Sequence, residues 1–145
     1  MITQQRDRQG RATRNRGSAL FSAVTPGGSA QPPEVLLGFL LGANFNITTD
    51  QQIAVTAGYR VTKMTVTNAS VNMTTAAGGL YSAASKGGTA IVAATQVYTA
   101  LTSPSVILLC TTAAEVAGLT SVYFSLTTAQ GVAATADIRI YGVRV

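Results

Sequence analysis

The sequence contains no histidine, and with it goes the commonest general base and metal ligand. Charge is scarce as well. Asp, Glu, Lys and Arg make up 10% of the chain, where a soluble domain ordinarily carries about a quarter. The surface must therefore be built from Thr, Ser, Asn, Gln, Ala and Gly, groups that are weakly solvated and readily buried against neighbours. Cys110 is the only cysteine, so no internal disulfide can form and no redox compartment is implied. Within Val106-Ile107-Leu108-Leu109-Cys110 it reads as a small buried hydrophobe. The apolar run Leu36-Leu37-Gly38-Phe39-Leu40-Leu41 is far shorter than the roughly 18 residues needed to span a bilayer. No membrane partner is expected.

The carboxylates after residue 33 are Glu34, Asp50, Glu115 and Asp137. They are too scattered to offer a local acid/base pair or a metal-ligand spacing. Ser85-Lys86-Gly87-Gly88-Thr89 fails as a phosphate loop, because its lysine precedes the glycines instead of following them. It also lacks the Ser-x-x-Lys spacing of a nucleophile, and reads as a solvated turn. The expectation is a protein that is not an enzyme, with no cofactor, no metal and no small-molecule substrate.

What charge there is sits at one end. Residues 1–33 hold Arg6, Arg8, Arg11, Arg14 and Arg16 against Asp7 alone, whereas residues 34–145 hold five basic residues against four acidic ones. The first 17 residues show no apolar period. A short apolar patch (Ala19, Leu20, Phe21, Ala23, Val24) follows, and then Pro26-Gly27-Gly28-Ser29-Ala30-Gln31-Pro32-Pro33, a linker by composition. The patch is too short for a secretory signal. Residues 1–33 thus read as an extended basic arm, joined to a domain over 34–145. The arginines can make bidentate bonds to carboxylates of a neighbouring protein or neutralise phosphates. No aromatic lies among them to stack on bases, so docking on protein is favoured over nucleic acid, and either over a merely solvated tail.

From about residue 43 the pattern is strand-like. Gln51, Ile53 and Val55 share a face. Val122, Phe124 and Leu126 alternate with Tyr123, Ser125 and Thr127, and Ile138 and Ile140 alternate with Asp137, Arg139 and Tyr141. Tyr59–Thr67 and Val106–Thr111 are rich in β-branched residues, and the apolar phase shifts between Val61 and Met64, which predicts a bulge or burial on both faces. Gly58, Gly78-Gly79, Gly87-Gly88, Gly118 and Gly131 punctuate these runs as turns. Helix is admitted only in short pieces, such as Thr112–Ala117 or Pro33–Leu41. Ser70–Gly78 echoes Ser121–Gly131, each reading as a strand that ends in Thr-Thr-Ala-x-Gly. A duplicated hairpin and chance in a Thr/Ala-rich chain are both open readings. The fold expected is all-β, a β-sandwich of jelly-roll kind with an extended basic N-terminal arm.

Three stretches add a resemblance. They are Tyr59-Arg60-Val61-Thr62-Lys63-Met64-Thr65-Val66-Thr67-Asn68-Ala69-Ser70, then Thr74 through Thr89, and Leu126-Thr127-Thr128-Ala129-Gln130-Gly131 through Ala136–Gly142. Together, over roughly residues 44–145, the body resembles small virion structural proteins of tailed bacteriophages and prophages. The resemblance implies a phage structural protein and does not fix its place in the particle; the arm is not part of it. A head decoration, or cement, protein is the favoured expectation. The alternatives are a tail, collar or fibre component, or a small coat protein whose arm neutralises packaged nucleic acid. The partners implied are the major capsid protein and further copies of the chain, a trimer being one arrangement, on the capsid surface of a virion assembled in a bacterial cytoplasm. The expected contact residues are Arg6, Arg8, Arg11, Arg14, Arg16, Leu20 and Phe21 of the arm, and Leu36, Leu37, Phe39 and Leu40 of the apolar segment.

Overall fold

Alternating β-branched and aromatic residues fold into strands, and the computed structural model, which describes residues 31–145, contains eight of them and no helix among those residues. They are β1 (Val35–Asn44), β2 (Gln51–Ala54), β3 (Tyr59–Thr67), β4 (Ala77–Ala83), β5 (Gly87–Val92), β6 (Leu108–Thr111), β7 (Ser121–Thr128) and β8 (Thr135–Arg144). A first antiparallel sheet has the order β1-β8-β3-β6 and a second the order β2-β7-β4-β5. The pairing is nested: β1 joins β8, β2 joins β7, β3 joins β6 and β4 joins β5. Further ladders, β3 with β8 and β4 with β7, knit each sheet together.

Side chains from both sheets enter one core. Leu37 and Ala43 of β1, Met64 and Val66 of β3 and Ile138 and Ile140 of β8 meet Ile53, Leu80, Ile91, Val122, Phe124 and Leu126 of the second sheet. At its centre Phe45, Tyr98 and Phe124 form an aromatic cluster, with centroids 5.1 Å apart for Phe45–Tyr98 and for Phe45–Phe124, the former edge to face. Such contacts add about 0.5–1.5 kcal/mol per pair beyond area burial. The Tyr98 hydroxyl donates to the Gly78 carbonyl at 3.0 Å, and burial pushes its pKa well above the usual value. A buried amide ties two loops together: Gln130 Oε1 accepts from the backbone N–H groups of Thr74, Thr75 and Ala76 at 3.0–3.2 Å.

Several expectations hold and several change. The phase shift in β3 is a bulge, a register break between Val61 and Lys63. Ser85 and Lys86 form the turn between β4 and β5 with positive φ of 59° and 55°, the hand that suits a tight hairpin. Cys110 is fully buried. The helix admitted over Pro33–Leu41 is instead strand from Val35, because pairing with β8 overrides the leucines' helical preference. Thr112–Ala117 is also non-helical. Gly78 and Gly79 are not a turn but lie inside β4. A Cβ on Gly78 would stand 2.3 Å from Leu126 Cα, and one on Gly79 2.3 Å from the Val92 carbonyl oxygen, so glycine is required there by close packing. Ser125 does not face solvent like its alternation partners; it is buried and donates to the Thr48 carbonyl. Ser70–Thr75 is loop while Ser121–Thr128 is strand, so the internal echo is no duplicated hairpin.

Candidate interaction surface

Strand β1 is an edge of the first sheet and carries more large apolar residues than any other strand, and a bare apolar edge invites pairing with another chain. Its backbone is closed at two points. The Leu37 carbonyl accepts from the Thr56 N–H at 3.0 Å. Asn44 donates its N–H to Gln51 Oε1 at 2.7 Å and accepts from Gln51 Nε2 at 2.8 Å, so one side-chain amide occupies both groups. Register breaks at Leu36/Gly38 and Leu40/Ala43 twist the strand further from a regular template.

The side chains are less protected. Leu36, Phe39 and Leu41 are 47%, 57% and 60% exposed. Of the expected contacts, Leu36 and Phe39 are thus free to meet a partner, whereas Leu37 is buried in the core and Leu40 packs partly against it. Leu36, Leu37, Gly38, Phe39 and Ala54 line an open depression of about 340 Å³. Gly38 makes that corner: a Cβ there would stand 2.1 Å from the Ala54 carbonyl oxygen. The arm residues Arg6, Arg8, Arg11, Arg14, Arg16, Leu20 and Phe21 lie outside the described residues.

Across the outer face of the first sheet the register sets two rows. One runs Phe39, Arg139, Thr65, Leu109 and the other Leu36, Tyr141, Lys63, Thr111. Leu109 and the adjoining Ile107, 55% and 70% exposed, place a second apolar group at the far edge. The exposure of these two was not read from the sequence, although their alternation with the inward Leu108 and Cys110 was a readable signal.

Every carboxylate of the body already has a partner within the chain. Glu34 accepts from Lys63 Nζ and from Thr62 Oγ1, and these two hydrogen bonds hold its carboxyl below the usual range. Glu115 Oε2 stands 2.9 Å from Arg60 Nε, an ion pair without hydrogen-bond alignment. Asp137 accepts from the Gly42 N–H at 2.8 Å and from Asn68 Nδ2 at 3.2 Å. Asp50 accepts from the Ser85 N–H. Among the described residues no three His, Cys, Asp or Glu side chains cluster as metal ligands, and no helix is long and apolar enough to cross a membrane.

No protein-family model, curated protein or solved structure matches this chain.

Proposed function

We propose that the chain is a structural subunit of a bacteriophage particle, a jelly-roll β-sandwich that binds the assembled head as a decoration protein. The observation that carries this reading is the nested strand order. Eight strands in sheets ordered 1-8-3-6 and 2-7-4-5 support a long hairpin rolled into two Greek keys, an architecture used in viral capsid domains. The low charge of the surface and the apolar outer edge of β1 support it, since both suit a molecule that works partly covered.

The proposed action is mass action. A subunit that binds the closed shell and not its dissociated parts stabilises the shell by its binding free energy, and many copies multiply the effect. The engaged carboxylates bear on the arm. A near-neutral body whose acids are already paired gives the five arginines little to hold, which favours an anionic surface outside this chain, on the shell protein or on the genome.

Co-sedimentation tests the reading. DNA-free shells lacking this protein, from the phage or prophage that encodes it, are mixed with the full chain or with a form deleted for residues 1–33. Saturation at a lattice-defined ratio, with much weaker binding of the deletion, is the expected result. Absence of binding by either form overturns the decoration role and leaves tail structures and packaged nucleic acid as the partners to try.

A further inference from the structure

The depression beside β1 is lined by Leu36, Leu37, Gly38, Phe39 and Ala54, without a charged group. In residues 1–30 the chain has one segment of matching chemistry, Ala19-Leu20-Phe21-Ser22-Ala23-Val24. Residues 22–33 tether Phe21 to Glu34, a contour of about 40 Å when extended, which is enough to reach an adjoining subunit. The chemistry directly before β1 disfavours a tight hairpin at that point. Pro32 and Pro33 fix φ, lack the N–H groups that a returning hairpin would use, and keep the preceding residue extended. Residues 31–34 are accordingly exposed and irregular.

We propose that Leu20 and Phe21 of one copy dock in the β1 depression of a second copy, so that the arms link subunits to one another. This deepens the structural-subunit reading and rests on it, but its test needs no shell. Docking here is apolar, because the lining holds no charged group and Glu34, just before β1, is held by Lys63 and Thr62. The stretch Arg6–Arg16 stays available for an anionic partner.

The test uses the full chain with Cys110→Ala to remove the native thiol. Two single-cysteine forms, Phe21→Cys and Phe39→Cys, are mixed under mild oxidation, so that a bond between them forms only between chains. Phe39 is exposed, so its replacement leaves the core intact, and circular dichroism checks the fold of each form. The mixed disulfide is expected in excess over the twofold statistical share, relative to either homodimer. In sedimentation velocity, Phe21→Ser is expected to weaken self-association by on the order of tenfold, as loss of one buried aromatic implies, with little change between about 0.1 and 1 M salt. A statistical mixture of disulfides overturns the proposal, as does a doubly substituted Phe21→Cys/Phe39→Cys chain that closes on itself as a monomer. Association that disappears at high salt overturns it too, by assigning the contact to the arginines. Failure here, with shell binding intact, would leave the decoration role standing.

Discussion

The two sheets share one core but present different outsides. The strands of the first carry Arg60, Lys63, Asp137, Arg139 and Arg144, together with the exposed Val35, Leu36, Phe39, Leu41 and Leu109. The strands of the second carry no charged residue and no exposed large apolar one; its outer row is Gln52, Tyr123 and Tyr81, the last of them covered. Burial energy and charge complementarity are what hold a partner, and only the first sheet offers both. The second offers hydroxyls, amides and glycine, which hydrate adequately and attract little. One core can thus carry an outer face that is apolar and charged and another that is nearly free of both.

The largest blow to this arrangement falls on what the sheets have in common. Phe124→Ala, in the shared aromatic cluster, is expected to cost about 3–5 kcal/mol and to keep a single cooperative urea transition; two separate transitions would show that the sheets are independent units. Next comes Gln130→Ala, which leaves the N–H groups of Thr74, Thr75 and Ala76 without their acceptor. A loss of about 1–3 kcal/mol is expected, with faster amide exchange at residues 74–76. Alkali should act on the core more gently. Burial pushes the Cys110 thiol up to about 12, above an unfolded value near 8.5, so the unfolded chain gives up this proton first. Stability is therefore intact below pH of about 8.5 and declines as the pH climbs towards the folded value; Cys110→Ala should flatten that decline, measured by urea melts across the range. Smallest of all is Phe39→Ser, expected to alter stability by no more than about 0.5 kcal/mol. A much larger loss would show that the outer face of β1 helps hold the fold and is not reserved for contact.

Much of this was legible where one face is wet. Ile138 and Ile140, or Val122 and Phe124, alternate with polar residues because each strand separates core from solvent, and the bulge in β3 registered as a slip in that alternation. Strand β1 was not legible as a strand, because Val35-Leu36-Leu37 and Phe39-Leu40-Leu41 are apolar on both faces and periodicity vanishes. That loss of pattern comes from the feature that makes β1 the candidate contact. Strand β4 escaped for the opposite reason: Ala77-Gly78-Gly79 has almost no side chain to pattern, and only the packing of Leu126 and Val92 against it explains the glycines. The apolar segment was recognised as a unit, but which of its side chains turn inward depended on pairing with β8, a partner about a hundred residues away.

That pairing also sets an order in time. Strand β8 lies between β1 and β3, and Gly42 is bonded to Asp137 across 95 positions of chain. Until Thr135–Arg144 has been made, β1 has no ladder and its leucines have no fixed inside or outside. The β3–β6 ladder can form earlier, but the first sheet closes only with β8, over a long loop, and at the slow rate that such distant contacts impose. Throughout that interval the strand with the most large apolar side chains is left waiting, so the yield of folded protein should depend on how well it is shielded before β8 arrives.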